Sequence, residues 1–481
     1  MTYVSLGFYP FLALILLVYF IMPLRFRWVV LLAGSAAFYI LLSGDGFPVL
    51  LFTLLLSYGA GLLLAFLKER SPKPVLLQRI VLAASIFLVM APWFVIKNGS
   101  FLLGHTNWGL IVPLGISFYT LQIVSYLADV HSGRISVQKN PAKYALFVLF
   151  FPQILQGPIP RYAQLADQLY EGHLFDEKQF VKGMQLILWG FFLKFLIADR
   201  ASIVVNVIFE NPSKYQGSYV LVAAVLYSIE LYADFLSCVT LSQGIAGLFG
   251  IGLTDNFLRP YFATSVKDFW RRWHISLSMW LRDYIYIPLG GSRKGKLRKY
   301  GNLIITFAFS GIWHGSGYKF LFWGMMHAAF QIVGDLTAPI KSRCYQLFRL
   351  SVGSGTRRLI QRLGVFVWVA LAWIIFRADN LRSGLLMIKS LFSIWNPWIL
   401  VDGSLLRLGL NGKEWFVLFL SVLTLFLVDC LQERGCCIRD GILEKAVYLR
   451  WALYIAVILG IMIFGVYGYG YQTQDFIYGG F

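Results

Sequence analysis

The sequence predicts an all-α polytopic membrane protein, and three observations carry that expectation. Hydrophobic residues make up 58% of the 481 positions and charged residues only 14%, against about 25% charged in a soluble globular chain. Apolar stretches of near-spanning length recur from end to end, with no polar block long enough to fold as a separate soluble domain. Basic residues gather in alternate loops, the asymmetry that fixes orientation in a multi-pass chain.

The elements follow in order. Residues 5–23 read as the first span, with Arg25 and Arg27 behind it. This N-terminal run has no basic n-region and no A-x-A site, so it is expected to be retained as a helix. Residues 28–42 return to a small loop carrying Asp45, and 47–67 lead back to Lys68, Arg70, Lys73 and Arg79. Residues 80–96 run to Lys97 and His105, and 109–128 run to Arg134, Lys139 and Lys143. The rich and poor loops alternate, which places the N-terminus outside and loops 24–27, 68–79 and 130–143 in the cytoplasm.

Residues 144–160 are apolar but broken by Pro152, Gly157, Pro158 and Pro160, so a continuous spanning helix is not expected there. Irregular backbone at membrane depth is tolerated only when buried in protein or lining a cavity, and this stretch reads as re-entrant or cavity-lining. Residues 179–198 and 217–236 read as spans that hold polar groups, Lys194 in one and Glu230 and Asp234 in the other. The last third alternates spans near 302–313, 319–334, 363–376, 415–430 and 450–468 with basic loops at 341–362 and 432–450. About eleven or twelve spans result, plus one or two re-entrant pieces. They form one membrane domain over 1–481: N-terminal spans 1–130, a core 131–334 and C-terminal spans 335–481.

The net charge is +19, from 42 Lys and Arg against 23 Asp and Glu. In a membrane protein this excess faces anionic lipid at the cytoplasmic side. No recognition fold stands free of the apolar segments, so nucleic acid is excluded as a partner. Residues 259–300 concentrate the charge, with ten Lys or Arg against two Asp. Within them RRWHISLSMWLRDYIYIPLGG is expected to be helical up to Pro288. Trp270, Trp273, Leu277, Trp280 and Tyr284 would form one aromatic stripe, and Arg271, His274, Ser278 and Arg282 an adjacent polar one. Such a helix lies along the interface or dips into the membrane from the cytoplasm. The five cysteines are odd in number and hold no CxxC pair, which argues against a disulfide framework.

Of six histidines, His105, His131 and His173 fall in expected loops. His314 is different: it sits in the apolar stretch SGIWHGSG beside Trp313. An ionisable group at membrane depth is costly and usually faces a cavity for a purpose. Two readings of it stand at this point, a reactive base or a structural histidine bonded to a neighbouring helix. His327 follows in FWGMMHAAF, and His274 has charged neighbours. The three show no HExxH or i, i+4 pairing and no close Cys or Glu, so no metal is expected. No G-x-S-x-G elbow or P-loop occurs. A neutral imidazole can instead take the hydroxyl proton of an acceptor as it attacks an acyl carbonyl. Arg271, Arg282 and the 293–299 cluster could hold an anionic group at the cytoplasmic mouth.

The chain resembles the membrane-bound O-acyltransferase (MBOAT) family, within it the bacterial branch that includes the membrane component of alginate O-acetylation. The resemblance rests on ordered motifs: VPLGISFYTLQIVSYLADV (112–130), LFFPQILQGPIPRY (149–162), LYADF (231–235), DNFLRPYFATSVKDFWRRWHISLSMWLRDYIYIPLGGSRKG (255–295), SGIWHGSGYKFLFWGMMHA (310–328), WIIFRADNLRSGL (373–385) and DFIYGGF (475–481). By position it implies His314 as the catalytic histidine and His274 as the second histidine. His327, Arg271, Arg282, Ser278, Trp313 and Asp234 become candidates for binding donor or acceptor.

The resemblance further implies spanning helices around a central tunnel in the bacterial cytoplasmic (inner) membrane. Acetyl or another short acyl group would pass from a cytoplasmic thioester such as acetyl-CoA, a co-substrate rather than a bound cofactor. It would reach an exported polysaccharide or envelope glycan, aided by a separate extracytoplasmic esterase-like or acyltransferase partner. One departure stands out: after Asp234-Phe235 relatives commonly continue with Ser-Gly-Tyr or Cys-Asp, whereas this chain reads LSCVTLSQGIAG. D-alanyl transfer to teichoic acid, acyl transfer to lipid, and glycan or lipid transport are the alternatives. The lack of an inverted repeat weighs against transport.

Overall fold

The computed structural model describes residues 2–70, 76–103 and 112–467. His105, residues 109–111 of one expected span, part of the 68–79 loop and the 475–481 motif lie outside them. Among the described residues the fold is all helical with no strand, and the single β-bridge pairs Phe257 with Trp273. Six described segments are long and apolar enough to cross a bilayer: Leu24–Arg70, Leu76–Gly99, Ser218–Leu248, Gly355–Arg377, Gly412–Glu433 and Val447–Phe464. The first of these is a pair of helices. The chain is a multi-pass membrane protein.

The helices fall into two compact units, and the described chain passes between them at residues 187/188 and 237/238, each within a helix, and again at 255/256 in a loop. The first unit holds residues 1–187 and 238–255, with 478–481 outside the described set. It opens with α1 (Phe8–Ile21), α2 (Arg27–Ser43), α3 (Phe47–Arg70), α4 (Leu76–Leu103) and α5 (Ile116–Ser132). These follow the expected spans in order, with α1 shorter at both ends, α4 extended by a turn or more at each end, and α5 beginning only at Ile116, after a left-handed Gly115. The segment expected to be broken is indeed broken. It forms α6 (Pro141–Leu149) and the single turn α7 (Phe151–Ile154), then runs without helix to α8 (Tyr162–Glu171).

Its residues 156–160 are all buried, so its backbone needs internal partners. The Phe151 carbonyl accepts from Tyr3 Oη at 2.7 Å, and its N–H donates to Ser35 Oγ at 3.1 Å. The Phe147 carbonyl accepts from Gln122 Nε2 at 2.6 Å, and Gln122 Oε1 accepts from Gln153 Nε2 at 3.2 Å. Tyr3, Phe8, Phe38 and Phe151 pack around this break, with ring centroids 5.3–6.4 Å apart.

The second unit holds residues 188–237 and 256–477. It is entered along α9 (Glu177–Phe192), a π-turn at Leu193–Ala198 and α10 (Asp199–Glu210), then α11 (Ser218–Leu248). After the short α12 (Val266–Arg272) and α13 (Ile275–Leu281) come α14 (Lys296–His314), α15 (Tyr318–Leu336), α16 (Ala338–Leu347) and α17 (Gly355–Arg377). The unit closes with α18 (Leu381–Ser393), α19 (Gly412–Glu433), α20 (Ile438–Leu443) and α21 (Val447–Phe464). The expected spans at 302–313 and 319–334 appear as α14 and α15, 19 residues each.

The helix expected to run unbroken to Pro288 is interrupted at Trp273-His274, where the backbone turns left-handed. A hydrogen-bonding alternative explains the break. The Leu258 N–H donates to the Arg272 carbonyl at 2.9 Å, and Asn256 takes the first N–H groups of α13. Ile275 N donates to the Asn256 carbonyl at 3.0 Å and Ser276 N to its Oδ1 at 2.9 Å. Those N–H groups would otherwise be orphaned at a helix start. The expected single stripe is therefore split between two helices.

Candidate active site

The site forms in the second unit, where α12, α13, α14, α15 and α17 meet. His314 is the last residue of α14 and is 2% exposed. The helix stops there because Gly315, Ser316 and Gly317 follow, and Gly317 adopts φ +99°. The α14–α15 hairpin is close because glycines face its seam. A methyl on Gly324 would overlap the Phe307 carbonyl, and one on Gly311 would overlap the Phe320 carbonyl. That approach fixes where His314 points.

His274 is fully buried and sits at φ 45°, ψ 54°, a conformation rare for a side chain other than Gly, Asn or Asp. Its ring centroid lies 6.4 Å from that of His314 and 5.9 Å from Trp313, while Phe235 packs edge-on at 4.8 Å. His314 is enclosed by Trp313 at 4.9 Å, Trp323 at 4.9 Å and Phe376 at 5.6 Å. His327, also fully buried, lies across Trp323 at 5.0 Å. Its Nδ1 accepts a hydrogen bond from Trp270 Nε1 at 3.2 Å, which leaves Nε2 to carry the proton in the neutral ring. Three histidines separated by up to 53 residues thus share one buried aromatic cluster.

The remaining expected residues divide. Trp313 is part of the wall. Ser278 is half-buried, and its hydroxyl donates to the Trp273 carbonyl at 3.2 Å, which ties it to the break beside His274. Arg271 is exposed on α12, and Arg282 is exposed with Nε on Asp283 at 2.8 Å. Asp234 belongs to a separate buried ion cluster: Lys194 Nζ lies 2.8 Å from Asp234 Oδ1 and 3.0 Å from Asp199 Oδ1. Lys194 answers two carboxylates, the arrangement a buried charge requires. Outside the site, His131 lies in the last turn of α5, and the His173 ring is bonded to the Gln168 carbonyl at 2.7 Å.

Sequence reasoning missed Asn256, Trp323 and Phe376, and it placed Trp270 in an aromatic stripe without linking it to His327. Trp323 precedes His327 by one helical turn and so shares its face, a signal that the sequence did carry. The part played by Asn256 depends on a backbone break and left no trace in the pattern.

A family model for MBOAT, the membrane-bound O-acyltransferase family, matches residues 74–376. That range contains all three buried histidines, helices α12 to α15, and α17 up to Phe376. The chain is 32% identical over 405 residues to the probable alginate O-acetylase AlgI of Azotobacter vinelandii, covering 82% of this chain and 78% of that protein. It is 33% identical over 311 residues to the peptidoglycan O-acetyltransferase of Helicobacter pylori, covering 59% and 58%. It is 29% identical over 263 residues to the teichoic acid D-alanyltransferase of Bacillus subtilis, covering 52% and 66%. With the family model spanning more than half of the sequence, the chain belongs to the membrane-bound O-acyltransferase family and is an O-acyltransferase.

Proposed function

We propose that this protein moves an acetyl or other short acyl group from a cytoplasmic thioester to an exported polysaccharide or envelope glycan, with His314 as general base. The observation that carries the reading is the pairing of two buried histidines, His314 and His274, with ring centroids 6.4 Å apart and packed among tryptophan and phenylalanine rings. The names of relatives acting on alginate and peptidoglycan support a glycan acceptor.

In this mechanism His314 removes the proton of an attacking hydroxyl as its oxygen adds to the thioester carbonyl. The tetrahedral oxyanion is supported by His274, and collapse expels the thiolate, which recovers the proton from His314. The ester stays on the acceptor, and the thiol leaves. An apolar wall strengthens each of these polar interactions by keeping water out. The hydroxyl acylated in this step belongs to a separate extracytoplasmic partner, whose ester then passes to a glycan hydroxyl by a second exchange that restores the partner's own hydroxyl, and the N-terminus lies outside the inner membrane.

The test is His314→Ala and His314→Gln in cells, with membrane level and glycan ester content measured together. Loss of a general base costs about 10²–10⁴-fold in rate, so both variants should insert normally and leave the glycan unesterified. Ester content at the wild-type level would sink the proposal. Mild base hydrolysis of the product reads the acyl group itself: acetate supports this reading, and D-alanine would favour the chemistry of the teichoic acid relatives.

A further inference from the structure

A second site lies in the same unit, away from the histidines. A cleft of about 380 Å³ is walled on one side by Pro212, Ser213 and Gln216, in the turn between α10 and α11, and on the other by α18. The α18 residues in it include Arg382, Leu386, Lys389, Ser390 and Ser393. Their spacing of i, i+4, i+7, i+8 and i+11 is a single helix face. From Arg382 to Ile394 that face runs about 18 Å at 1.5 Å per residue, so the cleft is a groove rather than a point.

The groove is built. Gly217, at φ +63°, brings the α10–α11 turn against the end of α18, where a methyl would collide with Asn396 Oδ1 and the Ile394 carbonyl. Ser218 N donates to Asn396 Oδ1 at 2.7 Å, Asn396 Nδ2 donates to the Gln216 carbonyl at 3.2 Å, and Gly217 N donates to Ser390 Oγ at 3.2 Å. Both walls are thereby held, while Arg382, Lys389 and Ser393 remain exposed. No lining residue is acidic, and among the described residues no carboxylate pairs with Arg382 or Lys389.

Its side of the membrane follows from charge. Helices α17 and α19 join the loop 378–411 to segments carrying Lys341, Arg343, Arg349, Arg357 and Arg358 at one end and Arg434, Arg439, Lys445 and Arg450 at the other. The basic ends belong in the cytoplasm, so the groove opens outside.

We propose that this groove is an extracytoplasmic binding site for an acidic glycan strand. Two unpaired cations suit carboxylates spaced along a chain, and hydroxyl and amide side chains suit sugar hydroxyls. An elongated groove at the surface suits a polymer. The inference deepens the proposed glycan acceptor and rests on that reading.

The test uses full-length protein in lipid nanodiscs, titrated calorimetrically with oligogalacturonate and with a neutral malto-oligosaccharide of equal length. Oligogalacturonate should bind, more weakly as salt rises, and the neutral sugar about tenfold or more weakly. The double variant Arg382→Gln/Lys389→Gln should lose about tenfold or more of the acidic binding. His314→Ala should keep all of it. Equal binding by wild type and double variant, or no binding by either, overturns the site while leaving His314 chemistry untouched. If the double variant instead keeps binding but no longer co-purifies with an extracytoplasmic protein, the groove belongs to a partner and the proposal falls.

Discussion

His274 shows how a single residue can hold a site and also strain it. A left-handed conformation costs an ordinary side chain roughly 1–2 kcal/mol, and such outliers persist where surrounding structure over-determines them. Here Asn256 holds the two N–H groups that follow. If the ring supports the oxyanion, its removal should cost activity without costing the fold. Asparagine tolerates the left-handed region, so His274→Asn separates the two effects. The variant should melt close to wild type in detergent, while acyl transfer falls about 10²–10³-fold. Wild-type transfer by that variant would make His274 purely structural. The residue type was legible from sequence, because a histidine among apolar residues stands out. Its backbone was not, because a periodicity argument assumes an unbroken helix and Trp273-His274 breaks it.

At the scale of elements, the α14–α15 hairpin decides where His314 sits. The sequence announced it through Gly315 and Gly317, which stop one helix and start the next. It was silent on the pairing of Gly311 and Gly324, four positions before Gly315 and seven after Gly317, because glycines within a helix read only as weak helix formers. The structure gives them a reason: each faces a carbonyl of the opposite helix at a distance that excludes a methyl. Small residues at such seams let membrane helices approach closely. Gly324→Ala should therefore push the hairpin apart at a cost of about 1–3 kcal/mol. Its melting temperature in detergent should fall, and transfer should fall with it although no reacting group has changed. An unchanged melting curve together with unchanged transfer would show that the seam has slack. The same logic explains why the broken segment around Phe151 was readable: prolines announce an interruption, whereas the tyrosine, serine and glutamine that satisfy it come from far along the chain.

For the molecule as a whole, the charge pattern predicts which face meets the cytoplasm, and the chain carries its own reporters. Cys344, Cys436 and Cys437 are exposed, Cys430 is partly covered and Cys238 is buried. All three exposed thiols lie in basic segments, beside Lys341 and Arg343 or beside Arg434 and Arg439. Lys and Arg flanking a span set its orientation, whereas acidic residues contribute little, so these segments should be cytoplasmic. The loop from 378 to 411 joins the far ends of α17 and α19 and holds only Arg382, Lys389 and Arg407. It should therefore be outside. A membrane-impermeant maleimide applied to intact spheroplasts should leave the three exposed thiols unlabelled and label them in inside-out vesicles. Val401→Cys, 86% exposed in that same loop, should show the reverse pattern, with labelling from outside. Native thiols labelled in spheroplasts would invert the protein. The acidic-glycan groove on α18 would then face the cytoplasm and lose its ligand, while the histidine chemistry at the end of α14 would stand and its donor and acceptor would exchange sides.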